Sequence, residues 1–278
     1  LTTSDREYDS AVAHTIWELE RSVKRGRVSD ATRRILVEAH AQQLQTIEER
    51  AGVGPDERSF VMLQPNIATA ILMLPSEGRG CGELKSVGRF FHRAGFSVLA
   101  TSLAYREVNR AGYSPQYWQT CLDESLQRYD MLNHYASRML VLGVGLSATI
   151  ALHVAVERKV AGVIALFPKL HADIALRERL RIALDRFLPR RQGPAAWAVQ
   201  RRFAADAGRQ AAAKVDLPMF VVVDADTLNR EESRSVRTAK RLLARRAEDL
   251  REVPTVQASP EQLPELVLED IARFARRR

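Results

Sequence analysis

Residues 138–168, RMLVLGVGLSATIALHVAVERKVAGVIALFP, carry the signal that decides the fold. Residues 139–142 are a continuous apolar run, as in a strand buried on both faces. Gly143-Val144-Gly145 breaks it. From Leu146 onward the apolar residues return at helical spacing, at Leu146, Ile150 and Val154, with Ala148, Ala151 and Ala155 as small contacts. Residues 160–167 form a second apolar run, closed by Pro168. Strand, sharp turn, helix and strand make a βαβ unit, and such units build parallel sheets.

The turn resembles the nucleophile elbow of the α/β-hydrolase family, G-x-S-x-G, in which the nucleophile sits on a strained strand-to-helix turn. Two registers fit. In the first, residues 143–147 match and Gly145 occupies the nucleophile position, between Gly143 and Ser147. In the second, residues 145–149 match and Ser147 is the nucleophile, which places β-branched Thr149 where a tiny residue belongs. The first register is preferred. It keeps small residues at both flanks, and glycine adopts the turn's backbone at little cost. It also removes the hydroxyl. A dinucleotide turn, G-x-G-x-x-G/A, would accept Ala148 at its third position. No Rossmann half begins before this unit, however, and no acidic residue ends the strand after it.

Outward from this unit, the resemblance extends over residues 60–278. Residues 59–64 and 68–74 read as strands, 84–93 as a helix with Val87, Phe90 and Phe91 inward, 95–99 as a strand, and 116–136 as a helix. Residues 217–226, LPMFVVVDAD, resemble the late hydrolase strand that ends in the acidic triad residue, which implies Asp224 or Asp226 for that role. A helix over 230–247, a short strand over 252–256 and a helix over 260–277 complete the pattern, the last with Leu263, Leu266, Ile271 and Phe274 buried. The arginine-rich residues 169–214 stand where the family often carries a helical lid.

The catalytic pattern is eroded. The loop where the family has its histidine is Gln257-Ala258-Ser259-Pro260, and of the six histidines only His171, in the lid, could approach the elbow. The strand over 68–74 runs from Leu74 into Pro75-Ser76-Glu77-Gly78, and proline has no N–H to offer an oxyanion. Acyl transfer needs the hydroxyl and a base within reach. The sequence thus reads as an α/β fold, a mostly parallel hydrolase-like sheet flanked by helices, that has lost its chemistry and serves as a binding or scaffolding subunit. The reading leans away from an enzyme. The alternative is an active carboxylesterase or thioesterase using Ser147 with His171 and Asp224 or Asp226. A third reading is an anionic-ligand or nucleic-acid binder through residues 169–214. A formal net charge of +8 permits it, but at 6% aromatic residues the stacking groups are sparse.

Residues 1–55 are expected to form a separate helical hairpin and residues 56–278 the hydrolase-like domain. Ser4-Asp5-Arg6-Glu7 is a capping box, followed by a stripe of Val12, Ile16, Leu19 and Val23 that ends at Gly26. A second helix begins at Ser29-Asp30, with Leu36, Leu44 and Ile47 on its apolar face. Two such stripes need a surface, and a protein partner docking on the hairpin is the expectation. Two cysteines make neither a disulfide framework nor a zinc site, so no metal or cofactor is expected and a cytoplasmic setting fits. No apolar run is long enough for a transmembrane helix, and no leader pattern opens the sequence.

Overall fold

The computed structural model describes residues 29–103, 116–168, 210, 214, 217–224, 247–253 and 259–277. The strands are β1 (Phe60–Met62), β2 (Thr69–Leu74), β3 (Ser97–Ala100), β4 (Arg138–Val144), β5 (Gly162–Leu166), β6 (Met219–Asp224) and β7 (Ala247–Val253). They form one seven-stranded sheet in the order β1-β3-β2-β4-β5-β6-β7. Among the described strands only the β1–β3 pairing is antiparallel. The helices are α1 (Asp30–Arg50), α2 (Lys85–Arg93), α3 (Gln116–Asn133), α4 (Ser147–Glu157) and α5 (Glu265–Arg277).

The apolar runs of β2, β4, β5 and β6 are continuous because both faces of these strands are covered. Alternation sends Ala70, Leu72, Val141, Val163 and Val221 into one buried cluster with side chains of α1, α3 and α4. The intervening Ile71, Leu140, Ile164 and Phe220 join the other cluster, with side chains of α2 and α5. The result is a three-layer α/β architecture whose central strand, β4, leads directly into the turn at Gly145.

Three expectations change. The last strand starts at Ala247, where the sequence suggested the end of a helix, and stops at Val253. Its sequence AEDLREV has no apolar run; among the described strands β7 stands at the edge of the sheet, paired with β6, and edges tolerate charge. Ile47 and Leu266 are exposed, at 56% and 68%. In α5 the buried positions are Val267, Leu268, Ile271, Ala272, Phe274 and Ala275, a helical stripe that turns Leu266 away.

Of the N-terminal pair, the first helix lies outside the described residues, as do the helix over 230–246 and all of the lid-type insertion except residues 210 and 214. The second helix, α1, packs on the sheet layer: Leu36 and Val37 belong to the same buried cluster as β2 and β4. A polar chain adds to this contact. Ser102 N–H donates to Ser59 Oγ at 2.8 Å, the Ser59 hydroxyl donates to Glu48 Oε1, and Ser59 N–H donates to Glu48 Oε2 at 2.7 Å. Gln45 Nε2 donates to the Ser59 carbonyl at 2.7 Å. A carboxylate as buried as Glu48 needs such partners.

Candidate functional site

The turn after β4 is built by glycine. A Cβ on Gly143 would stand 2.4 Å from the Ser147 carbonyl oxygen and 2.6 Å from Ala148 Cα, so strand and helix meet there with no room for a side chain. Gly145 has φ 59°, in the left-handed region where glycine bears no Cβ penalty. Its N–H continues the ladder to the Leu166 carbonyl at 2.8 Å. Leu146 is already helical, and α4 begins at Ser147. The residue at the apex therefore has a left-handed backbone that glycine adopts without strain, and no side chain.

Ser147 lies two residues further on. It is fully buried, and its Oγ donates to the Pro75 carbonyl at 2.5 Å. That bond ties the first turn of α4 to the loop after β2. It gives the buried hydroxyl a backbone acceptor.

The loop after β2 would contribute an oxyanion donor in a hydrolase elbow, paired with the N–H that follows the nucleophile. Here Pro75 has no N–H. The next donor, Ser76 N–H, is held by Glu83 Oε1, and the Ser76 hydroxyl donates to Glu83 Oε2 at 2.7 Å. Glu83 sits on the 3₁₀ turn Cys81–Leu84 that leads into α2. A carboxylate of the chain thus occupies both donors of Ser76. Nothing in the sequence pattern announces this, because it depends on a side chain folding back across a loop.

Burial raises the Glu83 pKa above the ordinary glutamate value, while the Ser76 hydrogen bonds and Arg79 pull it down and Glu261 pushes it up. The folded state therefore binds this proton more tightly than the unfolded chain. Between the unfolded and folded pKa values the Glu83 contribution to stability falls as pH rises. Glu83→Gln keeps an acceptor for Ser76 N–H and removes the titration. The variant should gain stability relative to the natural chain as pH is raised from about 4 to 7. Parallel thermal melts across that range check this; a difference that is flat or reversed refutes it.

Of the other candidate residues, the structure describes only the backbone of Asp224. Asp224 ends β6 and pairs with Val253. Asp226, His171 and residues 257–258 lie outside the described residues, as does His14. The described histidines are engaged elsewhere: His40 faces Tyr135 Oη at 3.4 Å, His92 Nε2 lies 3.2 Å from the Leu63 carbonyl, His134 packs on Tyr135, and the His153 ring meets Trp118 at 4.8 Å. No cluster of His, Cys, Asp and Glu among the described residues could hold a metal ion. One further feature escaped sequence reading. Phe167, just after β5, has φ 50°, and its N–H donates to the Val222 carbonyl at 2.7 Å. A non-glycine residue so placed is strained, and it follows Leu166, the residue that receives Gly145 N–H.

No family model matches the chain, and no curated protein matches its sequence. Solved structures do share its architecture. A structure described for LipS and LipT, two metagenome-derived lipolytic enzymes, aligns over 81% of this chain and 99% of its own, with TM-score 0.60 and 12% identity. A monoacylglycerol lipase from Paleococcus ferrophilus aligns over 78% and 97%, with TM-score 0.56 and 14% identity. A soluble variant of monoglyceride lipase from Saccharomyces cerevisiae, in complex with a substrate analogue, aligns over 79% and 90%, with TM-score 0.57 and 10% identity. At these identities the likeness is one of fold.

Proposed function

The chain has an α/β-hydrolase fold, and we propose that within that fold it is a non-catalytic protein that works as a binding subunit for a protein partner. The observation that carries this reading is Gly145, left-handed at φ 59° on the turn between β4 and α4, where the fold's nucleophile is expected. Two neighbouring features support it. Ser147 Oγ is buried and committed to Pro75, and Ser76 N–H is committed to Glu83. Removing nucleophile or base alone costs roughly a million-fold in a serine protease.

A second reading, an ester hydrolase acting through Ser147 with His171 and Asp224 or Asp226, is favoured by the names of the structural neighbours, which are lipolytic enzymes. The fold likeness by itself suits this reading better than the first. The anionic-ligand reading rests on residues 169–214, nearly all of them outside the described residues. Among the described residues no helix is long and apolar enough to cross a membrane.

The two main readings part on a labelling experiment. The intact chain should not react with a serine-directed fluorophosphonate and should not turn over short p-nitrophenyl esters. Stoichiometric labelling at Ser147, located by peptide mass, would establish the hydrolase reading and end the non-catalytic one.

A further inference from the structure

Helix α5 turns an apolar side to the core and a charged side outward. Glu265, Glu269, Arg273 and Arg276 are all exposed, and at about 100° per residue they fall within an arc of roughly 80°. This arc borders an open groove against the end of α2, with half-buried Phe90 and buried Ala272 at its base. Leu266, 68% exposed, stands on the flank of the same arc, about 20° beyond Arg273.

The charges are sorted along the groove. Both glutamates belong to the first half of α5 and both arginines to the second. Arg276 Nη2 donates to the Ala94 carbonyl at 3.3 Å, just past the end of α2, so Arg93 of that helix joins the basic end of the groove. Arg273 reaches Asp270 at 2.9 Å through Nη1. A guanidinium has five donors, so both arginines keep N–H groups for a further carboxylate. Among the described residues Glu265, Glu269 and Arg93 make no ion pair or hydrogen bond.

A face that is acidic at one end and basic at the other complements a second copy of itself turned about a twofold axis. Laid antiparallel, two α5 helices bring Glu265 to the partner's Arg276 and Glu269 to the partner's Arg273. Both pairings share one centre, at residues 270–271, and symmetry supplies each of them twice. Parallel packing would set Glu against Glu and Arg against Arg. The antiparallel arrangement also opposes the two helix dipoles.

We propose that this face of α5 pairs two copies of the chain, antiparallel about a twofold axis. A contact built on one helix of 13 residues and the end of α2 falls in the class of weak, exchanging interfaces, below about 1,200 Å² in total. This inference is independent of the chemistry at Gly145.

The test is equilibrium sedimentation of the full chain over micromolar concentrations at ~0.15 M salt. There the screening length of about 8 Å mutes the +8 net charges of two copies and spares charges in contact. The natural chain should show a monomer–dimer equilibrium. Glu265→Gln with Glu269→Gln keeps the side-chain shapes and removes the acidic end; the dimer should weaken roughly tenfold, the combined worth of several exposed pairs. Charge reversal is the sharper arm. Glu265→Arg with Glu269→Arg makes the arc wholly basic, and Arg273→Glu with Arg276→Glu makes it wholly acidic, so each variant alone should be monomeric. Mixed in equal amounts, they should form a dimer of one copy of each. Circular dichroism checks that each is folded; if Arg276→Glu, which also loses the bond to Ala94, prevents folding, the glutamine variant still decides. A natural chain that stays monomeric to high micromolar concentration would overturn the proposal. So would a dimer that the glutamines leave unchanged, or folded reversed variants that stay apart when mixed.

Discussion

A chain lacking residues 1–52 is expected to lose its cooperative fold. The deletion removes α1, and with it Leu36 and Val37, which are 2% and 0% exposed within the cluster shared with β2 and β4. Burying one such side chain contributes about 1.5–3 kcal/mol. With Leu44 the loss is on the order of 5 kcal/mol or more, comparable to the whole net stability of many domains, ~5–15 kcal/mol. The deletion also takes away Glu48 and so leaves Ser59 N–H and its hydroxyl without their acceptor. Circular dichroism and size exclusion read the outcome. A monodisperse truncated protein that melts cooperatively within a few degrees of the full chain would refute the expectation. Deleting residues 1–28 alone is the informative contrast. It spares every buried side chain of α1, so the domain should stay folded. Under the binding-subunit proposal it should release a partner that co-purifies with the full chain; a partner retained by this shorter deletion would remove the N-terminal segment from the interface.

The second large effect is expected from one methyl group. Gly143→Ala places a Cβ 2.4 Å from the Ser147 carbonyl oxygen and 2.6 Å from Ala148 Cα. Both are backbone atoms of the first turn of α4, so no side chain can swing aside. The strand and the helix must separate, at the upper end of the overpacking range, about 3 kcal/mol. For a chain of this size that lowers Tm by roughly 5 °C. Gly78→Ala is the control. Gly78 has φ 73° but open space around its Cβ position, so it reports backbone strain alone, about 1–2 kcal/mol. If the two variants melt together, close approach at the turn is not what demands glycine at 143.

The sequence by itself determined the sheet interior and the turn. β2, β4, β5 and β6 are covered on both faces, so their apolar character is continuous and needs no knowledge of a neighbour to be read. Glycine spacing around 143 and 145 is legible for a similar reason: it reflects what the local backbone must do. Proline at 75 likewise declares its missing N–H. The tertiary structure alone decided the rest. β7 carries the charged pattern of an edge and could not be told from helix until its pairing with β6 was seen. Ser147 could have been a nucleophile from its position in the sequence; its burial and its bond to Pro75 come from two segments 72 residues apart. Ser76 and Glu83 are near in sequence, yet their pairing depends on how the 3₁₀ turn before α2 brings the Glu83 side chain back to the loop after β2. The stripe of α1 showed that the helix has an apolar face, but Leu36 is buried and Ile47 exposed because the sheet layer has a limited footprint. Periodicity is a property of the chain, whereas burial and hydrogen-bond partnership belong to pairs of surfaces that meet only when the chain is folded.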